Sequence, residues 1–182
     1  MKLIFLGSQG SGKSTQASTL SQKLVLPYIE MGQLMRDKAQ ENNQEAGEVR
    51  EALEKGDLVP DNIAVVTLKE RLAKSDCKNG YILDGYPRNY AQLEGIESDI
   101  DKVFFIKVSD QEGIKRLIDR ARHDDTLETI TRRLELYHQQ TEPLLLYFKQ
   151  KGILEEIDGQ RNIDEVHQDI INRLQNGNTN RV

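Results

Sequence analysis

Short apolar runs alternate along this chain with longer segments whose apolar residues recur at helical spacing. Five runs have the length and composition of β-strands: residues 3–6, 28–29, 81–83, 103–108 and 153–157. Strands separated by helices of ten or more residues predict a parallel sheet with helices on both faces. We therefore predict a three-layer αβα fold of the α/β class, in which helices cover both faces of a parallel five-stranded sheet.

The first helical stripe follows Lys13 and ends before Pro27. Asp61 comes directly after a proline and is expected to cap a second helix. Ser109 and Glu112 have the spacing of a capping box at the start of a third helix. Because ligands of such sheets bind at the carboxyl ends of the strands, the loops that follow the first and third strands are the places to look for chemistry.

The second half of the chain continues the alternation. A helix is expected from Thr126 until Pro143 kinks or breaks it, and a further apolar stripe from Val166 to Leu174 predicts a closing helix. Residues 32–58 are polar and helix-prone, and we expect them to contribute little to the core. The polar residues after about 176 are expected to be frayed.

Composition narrows the function classes. Lys and Arg number 25 against 30 Asp and Glu, which gives a net charge of −5, and no block of like charge is present. A broad nucleic-acid surface is therefore not expected. The single cysteine excludes an internal disulfide, no apolar run approaches 18 residues, and no signal peptide is recognisable. These features favour a cytoplasmic protein with no membrane partner, and they do not exclude the binding of small anions.

Residues 7–14, GSQGSGKS, match the phosphate-binding pattern G-x-x-x-x-G-K-[ST]. The glycines allow several backbone N–H groups to point at one phosphate, and the N-terminus of the following helix adds partial positive charge. Lys13 can reach the β- and γ-phosphates, and a hydroxyl of Ser14 or Thr15 can serve Mg²⁺. Since a strand precedes and a helix follows, the pattern indicates a nucleoside triphosphate site.

Asp84 ends the third strand beside this loop, where a carboxylate can hold a metal-bound water. A strand-end aspartate is also a common turn residue. Several arginines could bind phosphate bidentately, although a solvated helix face is the alternative for each: Arg36, Arg88, Arg116, Arg120, Arg122, Arg132 and Arg133. The three histidines are scattered, so no general base is evident. Transfer to a phosphate monoester needs none, because its second pKa is about 6.

Taken in order, these stretches resemble the adenylate kinase family of nucleoside monophosphate kinases. The resemblance is carried by the phosphate loop and its continuation Thr15-Gln16-Ala17, Gly32, Arg36, residues 56–61 (GDLVPD), residues 79–88 (NGYILDGYPR), Gln92, Asp124-Asp125, Glu128-Thr129-Ile130, Arg133-Leu134, residues 141–144 and Asp158-Gly159. It extends over essentially the whole chain, to about Leu174. The segment around Asp84 is its most specific part.

The resemblance implies reversible phosphoryl transfer from Mg-ATP to AMP, giving two ADP. The residues that it places around the transferring phosphoryl group are Lys13, Arg88, Arg120, Arg122 and Arg133. The ATP site would comprise Gly10, Ser11, Gly12, Lys13, Ser14, Thr15, Arg116, Arg120 and Arg161. The AMP site would comprise Met31, Arg36, Asp57, Leu58, Val59, Gly85, Tyr86, Pro87, Arg88, Gln92, Arg122 and Arg133. Mg²⁺ would lie near Ser14, Thr15 and Asp84, mostly through water.

The resemblance also implies a domain plan. The core would comprise residues 1–29, 60–119 and 126–176, and residues 30–59 would form a small helical insertion that binds the nucleoside monophosphate. We call residues 30–59 the acceptor insertion. Residues 120–125 would be a minimal lid, and residues 177–182 a tail.

Two departures from the family pattern bear on the acceptor. Met31 stands where the family usually has a small residue, often Thr, and Gln33 stands where it has Asp. Met31 would lie against the acceptor base and favours a UMP/CMP-type kinase. Gln92 favours AMP, because its amide can pair with both a donor and an acceptor of adenine. A nucleotide-binding protein without turnover is a more distant alternative.

The lid is the other departure. Only Ala121 separates Arg120 from Arg122, where the family has an insertion, so a Cys₄ zinc site in the lid is impossible. Lids exclude water from the reacting groups. We hypothesise that closure is less complete here, or that a neighbouring subunit supplies the cover. A monomer is otherwise expected.

Overall fold

The computed structural model describes residues 1–120 and 126–178, and the side chains of Arg120 and of residues 176–178 are not described. Within these ranges the strands are β1 (Lys2–Leu6), β2 (Tyr28–Glu30), β3 (Tyr81–Asp84), β4 (Lys102–Lys107) and β5 (Leu154–Asp158). The α-helices are α1 (Lys13–Leu24), α2 (Met31–Lys38), α3 (Gln44–Lys55), α4 (Asp61–Leu72), α5 (Asp110–Arg120), α6 (Leu127–Leu136), α7 (Leu144–Gln150) and α8 (Ile163–Asn178).

The five strands form one sheet in the order β2-β3-β1-β4-β5, and each neighbouring pair is parallel. The predicted parallel five-stranded sheet is confirmed. Phe5 pairs with Asp84, and Glu30 pairs with Asp84 from the other side. The carboxyl ends of β1, β2 and β3 therefore meet at one edge, which brings the phosphate loop, the acceptor insertion and the Asp84 turn together.

The sheet is covered on both faces because its inner strands are apolar on both sides. On one face, Leu3, Phe5 and Phe104 pack in a cluster with residues of α1 and α8. On the other face, Ile4 and Leu83 pack with residues of α4 and α7. Side chains of this kind contribute about 1.5–3 kcal/mol each when fully buried. The core thus holds rigidly the strand ends that carry the candidate chemistry.

The acceptor insertion contributes more to the core than its composition suggests. Met35 of α2 and Ala46 and Val49 of α3 are buried. The expectation of little core content was therefore wrong. An insertion of two short helices needs only a few inward-facing apolar residues for each helix, and the polar residues around them hide this stripe in the sequence.

Asp61 does not cap α4, contrary to the sequence-based expectation. Pro60 occupies the N-cap position, and Asp61 is the first residue of the helix. The Asp61 carboxylate accepts hydrogen bonds from Asn89 Nδ2 and Gln92 Nε2, both at 2.8 Å. Its side chain is thus used to fix the segment that follows β3 rather than the start of its own helix.

The predicted capping box at α5 is only half formed. The backbone N–H of Glu112 donates to Ser109 Oγ at 3.3 Å. The Glu112 carboxylate turns instead to Arg116, whose Nε donates to it at 2.7 Å. In a complete box the Glu112 carboxylate would accept from the backbone N–H of Ser109. Here it accepts from Arg116, four residues further along the same helix.

Later boundaries follow the sequence pattern closely. Thr126 caps α6, because its side chain accepts a hydrogen bond from the Thr129 N–H. A π-helical segment, Tyr137–Thr141, separates α6 from Pro143, after which α7 begins. α8 ends at Asn178, so its last two residues fall within the predicted tail. Within the ranges that the structure describes, no helix is long and apolar enough to cross a membrane.

Candidate active site

The phosphate loop connects β1 to α1 through three glycines with left-handed or otherwise positive φ. These angles are +152° at Gly7, +76° at Gly10 and +90° at Gly12. Gly12 is the N-cap of α1, with no side-chain hydrogen bond to the first turn. The first residues of α1 line the cleft, so the positive end of the helix dipole lies beside it.

The loop also packs directly on the backbone of α5. A Cβ at Gly10 would lie 2.2 Å from the carbonyl oxygen of Gly113, and a Cβ at Gly113 would lie 2.8 Å from the carbonyl oxygen of Gln9. Such distances leave no room for a side chain at either position. The approach of two backbones thus fixes the phosphate loop against the helix that leads into the predicted lid.

A cleft of about 750 Å³ opens at this edge of the sheet, a typical size for a ligand site. The predicted ATP residues from Gly10 to Thr15 line it, and Lys13 Nζ donates to the carbonyl of Ser8 at 3.3 Å. Arg116 and Arg161 line the same cleft. The structure therefore brings together all of the predicted ATP-binding residues whose side chains it describes.

Arg116 and Arg161, two of the predicted ATP-binding residues, are each held by an acidic partner. Arg116 pairs with Glu112 and donates to the carbonyl of Gly159 at 3.0 Å. Arg161 Nη2 donates to Asp169 Oδ2 at 2.6 Å. Sequence analysis missed further residues that line the cleft, among them Gln16, Asn162, Ile163, Asp164 and Val166. Gln16 lies on α1, whereas the others lie on α8 or directly before it, so no local motif marks them.

Asp84 lies at the centre of the cleft and is 2% exposed. Its Oδ2 accepts a hydrogen bond from the Tyr28 hydroxyl at 2.9 Å. Its Oδ1 is buried and has no hydrogen-bond partner among the described residues. Buried carboxylate oxygens normally have partners, so this atom is suited to a group that a ligand brings. Tyr28, which sequence analysis missed, fixes the orientation of the carboxylate.

Arg88 is placed where positive charge accumulates. Burial lowers the pKa of its guanidinium, and the charges of Arg133 and Arg36 lower it further, whereas Asp84 and Glu30 act in the opposite direction. Arg88 Nε donates to the carbonyl of Gly85 at 3.0 Å. An arginine remains charged under such conditions, so the cluster attracts anions. Arg36, Arg88 and Arg133 all line the large cleft.

On the acceptor side, Arg36 is held by two residues of its own insertion. Its Nη2 donates to Glu30 Oε1 at 2.9 Å and to Gln33 Oε1 at 3.0 Å, and its Nε donates to Gln33 Oε1 at 3.1 Å. Sequence analysis did not single out Glu30. Its position at the end of β2, beside Asp84, follows from the strand register.

The predicted acceptor-base residues surround a small cavity of about 40 Å³. Those that line it are Met31, Asp57, Leu58, Val59, Tyr86, Arg88 and Gln92. Met31 is 3% exposed and belongs to the core. Pro87 does not line this cavity but borders a second one with Leu58 and Arg133. Four residues that line the first cavity, Gly32, Leu53, Asp57 and Arg88, also line the large cleft, so the two spaces adjoin.

Gln92 is 2% exposed and its amide orientation is fixed. Its Oε1 accepts from the Arg88 N–H at 2.9 Å, and its Nε2 donates to Asp61 Oδ1 at 2.8 Å. An amide oxygen has a second lone pair and an amide nitrogen a second hydrogen. The side chain can therefore still present one acceptor and one donor to a base.

Some predicted residues cannot be placed. Arg122 and the remainder of the lid, residues 121–125, lie outside the described residues, and so does the side chain of Arg120. Among residues 1–120 and 126–178, no three His, Cys, Asp or Glu side chains are grouped so as to hold a metal ion. Gln9 was another omission of sequence analysis. Its Oε1 is buried beside Lys13 in the phosphate loop, and no described residue provides it with a hydrogen bond.

Comparison with known proteins agrees with this geometry. A sequence model of the adenylate kinase family matches residues 5–153. The chain belongs to the adenylate kinase family. Its relatives include an adenylate kinase of Caldicellulosiruptor bescii, 35% identical with 96% of this chain and 99% of the relative covered. An adenylate kinase of Archaeoglobus fulgidus is 34% identical, with 93% and 96% covered. The predicted family resemblance is confirmed.

A third relative aligns with this chain over a shorter length than the first. The adenylate kinase of Leptospira biflexa is 36% identical over 184 residues, with 95% of this chain and 99% of the relative covered. The Caldicellulosiruptor bescii alignment spans 212 positions. Since this chain has 182 residues, 212 less 182 leaves at least 30 positions without a counterpart in it. This chain is therefore shorter than some members of the family, which agrees with the short lid predicted from the sequence.

Proposed function

We propose that this protein transfers the γ-phosphoryl group of Mg-ATP to AMP, reversibly, giving two ADP. The observation that carries the proposal is a single cleft lined at one end by the phosphate loop and at the other by Gly32, Arg36, Gly85 and Arg88. Two phosphate-binding surfaces that face one another can align a donor and an acceptor for direct in-line transfer. Membership of the adenylate kinase family supports this reaction.

Lys13 and the backbone of the phosphate loop would hold the β- and γ-phosphates of the donor. Arg88 and Arg133 line the same cleft from the opposite side, and we assign to them the charge that develops during transfer. Arg120 and Arg122 stay predicted members of this group. Arg116 and Arg161 would contact the donor adenine, the first by stacking and the second through the nearby backbone.

Arg36 and Arg88 would hold the acceptor phosphate, and Met31, Gln92 and the loop at residues 57–59 would contact the acceptor base. The nucleophile is a phosphate oxygen that is already anionic near neutral pH, since its second pKa is about 6. No side chain therefore has to remove a proton. Positioning and charge neutralisation by arginine and lysine are sufficient for this chemistry, without a covalent intermediate.

The cleft also fits a magnesium ion that accompanies ATP. The fit rests on Asp84, whose buried Oδ1 lacks a partner among the described residues, and on the hydroxyls of Ser14 and Thr15, which line the same cleft. Oxygen ligands and several retained waters are what Mg²⁺ prefers. Bound there, Mg²⁺ would neutralise phosphate charge, while Asp84 would orient one of its waters.

The acceptor is tested by a coupled assay with AMP, CMP, UMP and GMP at equal concentration. We expect AMP to give the highest kcat/KM, because Gln92 keeps one free donor and one free acceptor for a base. A UMP/CMP-type kinase is the second candidate, and buried Met31 favours it. A preference for pyrimidine acceptors would overturn the AMP assignment and leave the kinase assignment standing.

A nucleotide-binding protein without turnover is the more distant alternative. It predicts that none of the four acceptors is phosphorylated although ATP binds. A cytoplasmic location and a monomeric state, or an oligomer that completes the short lid, stay predictions. Size-exclusion chromatography with light scattering measures the state in solution.

A further inference from the structure

We propose that Glu30 competes with the acceptor phosphate for its place on Arg36, and that Glu30 thereby weakens acceptor binding. The inference rests on the proposed function, because it takes Arg36 as a ligand of the acceptor phosphate. Glu30 would be a positioning residue that sets the affinity for the acceptor through Arg36.

The first argument counts hydrogen-bond donors. A guanidinium has five N–H donors and binds phosphate best through two parallel ones. In Arg36, the edge formed by Nε and Nη2 is taken by Gln33 Oε1, at 3.1 and 3.0 Å. The remaining hydrogen of Nη2 goes to Glu30 Oε1, at 2.9 Å. A phosphate therefore cannot bind Arg36 bidentately unless Glu30 or Gln33 leaves.

The second argument decides which of the two leaves. Gln33 is neutral, and its Nε2 is anchored by a 2.7 Å hydrogen bond to Asp37 Oδ1. Glu30 carries a negative charge, so an arriving phosphate repels it. The Glu30 and Arg36 side chains are 25% and 34% exposed and both line the cleft, which leaves Glu30 room to swing toward water.

The third argument concerns the surrounding charges. Glu30 pairs with Asp84 across the β2–β3 register, at the strand end that faces Arg88. Both carboxylates act on Arg88 by raising its pKa, against the effects of burial and of Arg133 and Arg36. Glu30 therefore partly neutralises an arginine cluster that would otherwise attract a dianion more strongly. Its negative charge lowers acceptor affinity whether or not its side chain has moved.

The test is Glu30→Gln, which keeps the side-chain size and removes the charge. We expect the KM for AMP, and the dissociation constant for AMP measured by calorimetry without ATP, to fall roughly threefold to tenfold. The kcat should stay within about twofold, and the KM for ATP should not change. Glu48→Gln is the matched control, because Glu48 is an exposed residue of the same insertion outside the cleft lining.

Unchanged or weaker AMP binding in Glu30→Gln, in a variant with wild-type circular dichroism, would overturn the inference. A second comparison uses the Arg36→Ala background, where the gain from Glu30→Gln should shrink to the part that acts through the charge of Arg88. A gain that persists there undiminished would mean that no displacement from Arg36 occurs. If the wild-type protein phosphorylates no nucleoside monophosphate, the proposed function fails instead, and calorimetry still reports on Glu30.

Discussion

Arg132 Nε lies 2.7 Å from Asp57 Oδ1, and this ion pair joins α6 to the loop that ends the acceptor insertion. A second contact lies beside it. Gly56 has a φ of +72°, and a Cβ there would be 3.0 Å from the carbonyl oxygen of Thr129. The loop proposed to contact the acceptor base is therefore joined at two places to α6, the helix that follows the predicted lid in the sequence.

This ion pair predicts an effect on the acceptor and none on the donor. Arg132→Glu should raise the KM for AMP by about twofold to fivefold, a range typical of a partly exposed pair, and leave the KM for ATP unchanged. The charge-reversed double variant Asp57→Arg with Arg132→Glu should recover most of the loss. Lys55→Glu is the control. Lys55 lies in the acceptor insertion, and it forms its ion pair with Glu51 of the same helix. An unchanged KM in Arg132→Glu would contradict this coupling.

Arg88 should act mainly in the transition state. Arg88→Ala is expected to lower kcat by about 10²- to 10³-fold, because a charge aimed at the transferring group is lost. The dissociation constant for ATP should change only modestly, and it is measured by calorimetry. Arg71→Ala is a suitable control, because Arg71 pairs with Asp76 away from the cleft. Unchanged turnover in Arg88→Ala would contradict the role assigned to it.

Tyr28 should support both stability and magnesium use. Tyr28→Phe removes the only hydrogen bond that the Asp84 carboxylate receives from the described residues. We expect the free energy of unfolding to fall by about 1–2 kcal/mol, and the Mg²⁺ concentration for half-maximal velocity to rise. Tyr90→Phe is the control, since the Tyr90 hydroxyl makes an exposed 3.2 Å bond to the Pro143 carbonyl. The hypothesis is wrong if both variants behave alike.

His138 predicts a dependence of stability on pH. Hydrogen bonding to Glu142 raises its pKa, burial lowers it to a smaller extent, and Asp110 raises it further. A raised folded-state pKa gives a stabilisation that is complete below the ordinary histidine pKa and is lost as the pH rises through the folded-state value. The melting temperature should therefore fall from about pH 6 to about pH 8 more in the wild type than in His138→Gln. Parallel curves would exclude this contribution.

The short lid predicts incomplete exclusion of water. We expect ATP hydrolysis without an acceptor to exceed that of long-lid members of the family, unless the protein is an oligomer in solution. The measurements are phosphate release from ATP alone and the molar mass by light scattering. Negligible hydrolysis by a monomer would show that the leaky-site hypothesis is wrong.

Much of the fold and of the donor side follows from local sequence. The strand runs were found because buried parallel strands are continuously apolar, and the phosphate loop was found because its glycines and lysine are contiguous. Asp84 was found because it directly follows the apolar run of residues 81–83. In each case the deciding residues are neighbours in the sequence.

The errors arose where partners are distant. Asp61 looked like a helix cap because local spacing cannot reveal that Asn89 and Gln92 claim its carboxylate. Glu30 looked unremarkable because its importance depends on Arg36, six residues away on α2, and on the register of β2 with β3. Such assignments need the sheet order first, and a single sequence does not supply it.

The contact between Gly10 and Gly113 limits how this site can change during sequence drift. Gly113 lies early in α5, where alanine would favour the helix by about 1 kcal/mol, so the chain retains glycine against helix propensity. Each added methyl group would strike backbone rather than the opposite side chain. No compensating substitution at the partner position can relieve that clash. The two positions should therefore each tolerate only glycine in a mutational scan, independently of one another.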